Sequence, residues 1–168
     1  MTKPIIGVMG PGEGATPEHM AMAEELGRLI AQAGWTTLSG GRNAGVMAAV
    51  NRGARDAGGL TVGILPDIER SGISPNVDIP IITGMGSARN NINVLSSDVV
   101  IACGAGPGTA SEISLAIKAG KHIVLLALSP AAKIYFQELG GPLVSVAASP
   151  RNAIDLCEQL LKEPQQTA

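Results

Sequence analysis

The chain has 168 residues, of which 45% are hydrophobic and 15% charged, and its formal net charge is −2. This length supports one core of ordinary size, so a single domain over residues 1–168 is expected. Nucleic acid is not an expected partner, because the chain has little positive charge and only one Trp, one Tyr and one Phe for stacking on bases. No signal-like or membrane-spanning run is evident, which predicts a cytoplasmic protein without a membrane partner.

The residue types that bind zinc are few. Two cysteines, Cys103 and Cys157, and two histidines, His19 and His122, lie far apart in the sequence. They do not form the spacing of a structural zinc site, nor do two cysteines suggest a disulfide framework. No metal-ligating residues are therefore predicted.

Runs rich in Val and Ile alternate with helical runs along the chain. The predicted strands are Pro4–Met9, Thr36–Leu38, Leu60–Leu65, Ile79–Thr83, Asp98–Ala102, His122–Leu128 and Leu143–Val146. The predicted helices are Pro17–Ala33, Val46–Ala57, Ala88–Ser96, Ala110–Ala119, Ala131–Leu139 and Ala153–Leu161. Strands that are apolar on both faces and separated by helices predict a Rossmann-like three-layer α/β fold, with a central parallel sheet and helices on both faces.

Local signals mark some of the helix starts and the end of the chain. Thr16-Pro17, Ser129-Pro130 and Ser149-Pro150 are typical of helix starts, because the hydroxyl caps free N–H groups and proline fits the first helical position. The polar segment Pro164–Ala168 is expected to fray.

Glycine clusters follow three of the predicted strands. They are Gly10–Gly14, Ser39–Gly45 and the glycines between Cys103 and Glu112. A strand that turns through glycines into a helix presents free N–H groups and the positive end of the helix dipole, which suits phosphate. In a parallel sheet these junctions lie along one edge, where ligands of such folds bind. The predicted ligand-binding residues are Gly10, Gly12, Ser39, Gly40, Gly41, Arg42, Gly45, Arg89, Gly106, Pro107, Gly108, Thr109 and Glu112.

The motifs of two common nucleotide-binding classes are weak or absent. Gly10, Gly12 and Ala15 formally satisfy a dinucleotide fingerprint, but the second strand ends in Ser39-Gly40-Gly41 and lacks the acidic residue that holds a ribose. NAD is therefore disfavoured, although Arg42 would suit a 2′-phosphate. No G-x-x-x-x-G-K-[ST] sequence occurs, which also disfavours a P-loop NTPase.

Four sequence blocks together resemble one superfamily. They are Ser39-Gly40-Gly41 with Gly45-Val46-Met47, then Gly59 to Pro66, Thr83 to Asn90, and Gly106 to Glu112. In this order the blocks resemble the Rossmann-like superfamily of Lonely Guy phosphoribohydrolases, and within it the molybdenum cofactor carrier proteins. The resemblance to the carriers implies the molybdenum cofactor (molybdopterin) as bound ligand, with its phosphate on the glycine loops and molybdoenzymes as recipients.

The enzyme branch of the superfamily implies a different function. Lonely Guy enzymes cleave nucleoside 5′-monophosphates with an arginine and a glutamate that match Arg89 and Glu112. This sequence departs from their pattern at Gly104, Ala105 and Asn90, where proline, glycine and lysine are usual. A carrier without catalytic residues is therefore the first hypothesis and a phosphoribohydrolase the alternative, while a nucleotide-sensing module remains open.

Several of these residues also have purely structural interpretations. Glu112 fits the first turn of a helix, where the dipole favours a carboxylate, and Thr109 fits a helix cap as well as a phosphate donor. Arg89 and Arg42 fit solvated surface charges as well as ligand contacts. Cys103 fits a buried small apolar residue, or a soft ligand and redox-sensitive thiol.

Two predicted helices carry faces that are suited to association. Val46–Ala57 and Ala88–Ser96 mix apolar residues with Asn and Arg, and such mixed faces commonly form interfaces. Homo-oligomers are also what the resemblance implies in both branches. A dimer or tetramer is therefore expected.

Overall fold

The computed structural model describes residues 2–162, so the predicted fraying of the last residues lies outside the described part. The strands are β1 (Ile5–Met9), β2 (Thr36–Ser39), β3 (Thr61–Leu65), β4 (Ile79–Ile82), β5 (Val99–Cys103), β6 (Ile123–Leu126) and β7 (Val144–Ala147). The helices are α1 (Pro17–Gln32), α2 (Gly45–Asp56), α3 (Arg89–Leu95), α4 (Pro107–Lys118), α5 (Pro130–Gly140) and α6 (Pro150–Leu160). Single 3₁₀ turns, Gly86–Ala88 and Gly141–Leu143, precede α3 and β7.

The strands form one parallel sheet in the order β4-β3-β2-β1-β5-β6-β7. Strand β1 lies at its centre, with Gly7 opposite Leu38 of β2 and Val8 opposite Ile101 of β5. Strands β2, β3 and β4 follow one another on one side of β1. The chain then returns to the other side of β1, where β5, β6 and β7 follow one another, so the order of the strands reverses between β1 and β5. The predicted Rossmann-like α/β fold is confirmed.

Helices cover both faces of the sheet. Helices α1, α2 and α6 share one apolar cluster with alternate strand residues such as Val8 and Ile101, and α3, α4 and α5 share a second cluster with Met9 and Val100. Strand β5 is buried along its whole length because both of its faces are covered. This burial explains the continuous Val/Ile runs that predicted the strands.

The predicted helix starts are confirmed at three capping hydroxyls. Thr16 accepts a hydrogen bond from the N–H of His19, and Ser129 and Ser149 cap α5 and α6 in the same way. Two helices begin three residues earlier than predicted, α4 at Pro107 and α6 at Pro150. Proline needs no N–H partner in the first helical turn, so the sequence Pro107-Gly108-Thr109 is helical rather than loop.

Helices α1 and α2 pack backbone against backbone through two glycines. A Cβ atom added to Gly27 would lie 2.1 Å from the carbonyl oxygen of Val50, and one added to Gly53 would lie 1.9 Å from that of Glu24. Val46, Ala49, Val50 and Ala54 of α2 are buried within the chain. Much of the apolar face of α2 that the sequence suggested for association is therefore used inside the protein.

Candidate functional site

A cavity of about 320 Å³ opens at the carboxyl edge of the sheet, beside the ends of β1 and β5. The reversal of strand order at this point leaves a crevice, since the chain leaving β1 and the chain leaving β5 turn to opposite faces. Nine of the thirteen predicted site residues line the cavity: Gly10, Gly12, Gly40, Arg89, Gly106, Pro107, Gly108, Thr109 and Glu112.

The first turn of α4 forms one wall of the cavity. Gly106 is the N-cap residue, and within residues 2–162 no side chain caps this helix. The capping interpretation of Thr109 is therefore wrong, because Thr109 lies at the third helical position. The N–H of Ala110 makes the first helical bond, to the Gly106 oxygen at 2.8 Å. The N–H groups of Gly108 and Thr109 precede that bond and suit an anion.

Arg89 lies at the start of α3 and is anchored from one side. Its Nη1 donates to the carbonyl oxygens of Gly40 and Ile64, each at 2.5 Å. These carbonyls belong to the ends of β2 and β3, so the arginine ties together two neighbouring strand ends. Both bonds use Nη1, and within the described part of the chain Nε and Nη2 donate to no protein group. Those two donors can serve an anion in a bidentate fashion.

Charged neighbours surround the Arg89 guanidinium. Burial lowers the pKa of Arg89, and Arg42 lowers it further, whereas Glu112 and Asp67 oppose that shift. An arginine remains charged at neutral pH in spite of such a shift. A bound anion would relieve the repulsion between Arg89 and Arg42, which favours anion binding.

Glu112 is buried on the cavity side of α4, with 7% of its surface exposed. It lies in the second turn of the helix, so the interpretation as a first-turn residue stabilised by the dipole is wrong. Its Oε1 accepts a hydrogen bond of 2.8 Å from Nδ2 of Asn93. Burial raises the pKa of Glu112, and the Asn93 hydrogen bond and the charge of Arg89 oppose this rise.

Four predicted residues lie behind or beside the cavity and are not among its lining residues. The hydroxyl of buried Ser39 accepts bonds from the Gly41 N–H at 3.1 Å and from Asn51 Nδ2 at 3.0 Å. Gly41 and Gly45 have φ of +74° and +48°, which glycine adopts without strain. Arg42 is exposed and its backbone pairs with Ile73. The first three residues shape the loop after β2, and Arg42 contributes charge.

Close approaches explain two of the glycines that line the cavity. A Cβ atom on Gly10 would lie 2.5 Å from the carbonyl oxygen of Cys103, and one on Gly40 would lie 2.4 Å from Nη1 of Arg89. A side chain at Gly40 would displace the arginine. These positions require glycine for packing around the site.

Among the residues of the cavity region that the sequence did not assign to the site, three have side chains that shape it. Asn93 holds Glu112, Met47 lines the cavity from α2, and Asn90 lines it while donating to the Ser111 hydroxyl at 2.9 Å. Asn90 and Asn93 follow Arg89 by one and four positions. The spacing of four, which places Asn93 on the same helix face as a predicted site residue, was the available signal for Asn93.

The loop after β5 adopts a conformation that depends on glycine. Gly104 has φ of +75°, and a Cβ atom there would lie 2.9 Å from the ring of His19. Proline has φ near −65°, so it cannot take this conformation. A proline at this position, which is usual in the hydrolase pattern, would therefore require a different backbone path beside the cavity.

Both cysteines are buried and free. Burial raises the pKa of the Cys103 thiol and of the Cys157 thiol to about 12 in each case. The thiols are therefore protonated at neutral pH, which favours the interpretation of Cys103 as a small apolar residue.

In residues 2–162 no group of three or more His, Cys, Asp and Glu side chains is arranged to hold a metal ion. None of the helices there is long and apolar enough to span a membrane.

Gly108 provides a way to block the cavity without disturbing the fold. A Cβ atom on Gly108 would meet no atom within 4 Å. Gly108→Val should therefore leave the melting temperature nearly unchanged, yet exclude a phosphate from the first turn of α4, with Gly108→Ala giving a smaller loss. Calorimetric titration of both variants checks this order, and unchanged affinity in Gly108→Val would remove the first turn of α4 from the site.

Comparisons with known proteins agree with these features. A family model described as LDcluster4, the SLOG cluster4 family, matches residues 3–154. The chain belongs to this family. An uncharacterized protein of Archaeoglobus fulgidus is 46% identical over 121 residues, which are 72% of this chain and 78% of that protein.

Two solved structures are similar over nearly the whole chain. The molybdenum cofactor binding protein of Rippkaea orientalis is 53% identical with a TM-score of 0.94, and the alignment covers 96% of this chain and 99% of that one. The molybdenum cofactor carrier protein of Chlamydomonas reinhardtii is 52% identical with a TM-score of 0.93, covering 96% and 100%. The predicted resemblance to molybdenum cofactor carrier proteins is confirmed.

More distant relatives show how far the fold extends. A cytokinin riboside 5′-monophosphate phosphoribohydrolase of Mycobacterium tuberculosis is 36% identical over 104 residues, but the match spans only 56% of that enzyme. DNA processing protein A of Helicobacter pylori is 21% identical with a TM-score of 0.70, covering 94% of this chain and 81% of that one. The latter likeness is one of fold alone.

Proposed function

We propose that this SLOG protein binds and carries the molybdenum cofactor. The observation that carries the proposal is the combination of a cavity lined by free backbone and Arg89 donors with more than 50% identity to carrier and cofactor-binding proteins over nearly the whole chain. The phosphate of the cofactor would bind the N–H groups at the start of α4 and the free donors of Arg89. The pterin part of the cofactor would lie in the cavity, away from solvent.

The residues at the site fit this ligand in both charge and space. Arg89 keeps Nε and Nη2 for a charge-assisted bidentate contact, and Arg42 adds a second positive charge nearby. The cavity volume of about 320 Å³ is within the usual range for small ligands. Twelve of the sixteen lining residues are apolar or glycine, and six are glycines, so the protein backbone can approach a ligand closely.

Cofactor protection is the expected result that tests a carrier. The molybdenum cofactor should bind more tightly than AMP or GMP, and the bound cofactor should lose activity to air more slowly than the free compound because burial shields it. Reconstitution of a cofactor-free molybdoenzyme after timed exposure to air measures this decay. Equal decay of bound and free cofactor would contradict the carrier function, and tighter binding of AMP would favour a nucleotide sensor.

A phosphoribohydrolase is the second candidate, because Arg89 and Glu112 line the same cavity and an enzyme of that class is 36% identical over part of the chain. Two features oppose it. Gly104 has φ of +75° where the hydrolase pattern has proline, and Asn90 replaces the usual lysine and removes a positive charge. Loss of a few kcal/mol of transition-state stabilisation reduces a rate by orders of magnitude.

We therefore expect negligible release of free base from AMP or cytokinin monophosphates. Chromatographic detection of base and ribose 5-phosphate at high protein concentration is the measurement, with Glu112→Gln as the matched variant. Robust turnover by the wild type that disappears in Glu112→Gln would replace the carrier function with the hydrolase function.

We further propose the setting in which the protein works. A cytoplasmic protein of a single domain agrees with two buried free thiols and one continuous sheet in the described residues. A homo-oligomer, dimer or tetramer, and molybdoenzyme recipients complete the proposal. Native mass spectrometry tests the copy number and the copurifying small molecule together.

A further inference from the structure

The carboxyl group of Glu112 is only partly satisfied within the protein. Its Oε1 accepts from Asn93, but among the residues that the structure describes no donor bonds to Oε2. Arg89 does not fill this role: its Nη1 donates to the backbone oxygens of Gly40 and Ile64, and its other nitrogens make no hydrogen bond to Glu112 in the described part of the chain. A buried carboxylate in this state requires further donors.

Asn93 lies behind Glu112 and is not among the residues that line the cavity. It is fully buried on α3, its Nδ2 is used by Glu112, and its Oδ1 has no hydrogen-bond partner among the described residues. The start of α4 and Arg89 offer only donors by contrast. A ligand that satisfies both sides carries an anion at one point and N–H donors at another.

We propose that Glu112, positioned by Asn93, selects the heterocycle of the ligand by accepting hydrogen bonds from the adjacent amino and ring N–H groups of a 2-amino-4-oxopyrimidine ring. This inference rests on the proposed function, because a pterin presents that ring. A carboxylate and two adjacent N–H groups form a bidentate pair, with the same complementarity as a carboxylate and a guanidinium. Adenine lacks the second N–H and would place a ring acceptor against the carboxylate.

The test compares two fluorescent ligands that differ at one position. They are 6-hydroxymethylpterin monophosphate and 6-hydroxymethyllumazine monophosphate, in which an oxygen replaces the 2-amino group while the phosphate is kept. The wild type should prefer the pterin by about tenfold or more, because a buried acceptor rejects an analogue that lacks the donor. In Glu112→Gln the preference should fall to about one, since the amide group keeps only one acceptor oxygen.

Glu138→Gln is the matched control, because it makes the same change of charge on the exposed surface of α5. Its preference for the pterin should equal that of the wild type. Circular dichroism of each variant verifies that the fold is kept, and GMP, which has the same donor edge, shows whether the ring or the whole pterin is selected. Binding of GMP that also weakens in Glu112→Gln supports recognition of the edge.

Equal binding of pterin and lumazine by the wild type would overturn the inference, and so would a preference that survives in folded Glu112→Gln. Binding of the complete molybdenum cofactor is measured in the same preparations. Cofactor binding by the wild type without pterin selection leaves the proposed function standing and removes only the role of Glu112. If the wild type does not bind the complete cofactor, the proposed function itself is contradicted.

Discussion

Replacing Arg89 with alanine should weaken binding of the phosphate-bearing cofactor by about tenfold or more. A hydrogen bond to a charged group contributes about 1.5–3 kcal/mol, and Arg89 offers two donors to an anion at Nε and Nη2. The variant also leaves the carbonyl oxygens of Gly40 and Ile64 without their partner, so the loops after β2 and β3 should loosen. Calorimetric titration measures the affinity.

Two further variants separate the roles of the arginine. Arg42→Ala removes an exposed positive charge nearby and should weaken binding less, because an exposed charge is screened by salt. Arg89→Lys keeps a charge but cannot hold both carbonyls and the ligand, so its affinity should resemble that of Arg89→Ala. Unchanged affinity in folded Arg89→Ala would remove Arg89 from the site.

Substitution of Gly27 should cause a large loss of stability. A Cβ atom there lies 2.1 Å from the Val50 oxygen and 2.7 Å from the Ala54 nitrogen, so α1 and α2 would have to separate. Gly27→Val should lower the free energy of unfolding by about 3 kcal/mol or more, equivalent to roughly 6–12 °C in melting temperature. Differential scanning calorimetry provides the measurement.

Gly27→Ala gives a sharper test, because close packing should reverse the sign of its usual effect on stability. Glycine to alanine in an exposed helix interior normally stabilises by roughly 0.5–1 kcal/mol, whereas Gly27→Ala should destabilise because the contact is with backbone. Ala21→Val on the exposed side of α1 is the control and should change stability by less than about 1 kcal/mol. A melting temperature that rises in Gly27→Ala would contradict the close packing of these helices.

Much of the fold follows from local patterns that the sequence displays. Strands buried on both faces, such as β5, give continuous apolar runs, and capped helices such as α1 and α5 begin with a hydroxyl and a proline. The start of α4 was misplaced because its first turn, Pro107-Gly108-Thr109, contains the residues that also make loops. The conformation of that turn depends on its place after β5.

The sequence predicted only those site residues that are marked by their position after a strand. The glycine loops and Arg89 follow strands, and the rule that parallel strands end at one edge brings them together. The pairing of Asn93 with Glu112 depends on how α3 and α4 pack, and the bonds of Arg89 to Gly40 and Ile64 depend on three separate elements. Such partners are distant in sequence and carry no periodic pattern.

In the crevice between β1 and β5, the place where a ligand can bind and the chemistry of that place depend on different features of the chain. Strand order creates the crevice, and only a few side chains, among them Asn90, Arg89 and Glu112, give it chemical character. Changes of these side chains can therefore alter the chemistry of the crevice while the sheet stays intact. The shared fold of a cofactor carrier, a phosphoribohydrolase and a DNA processing protein is what such a division of roles permits.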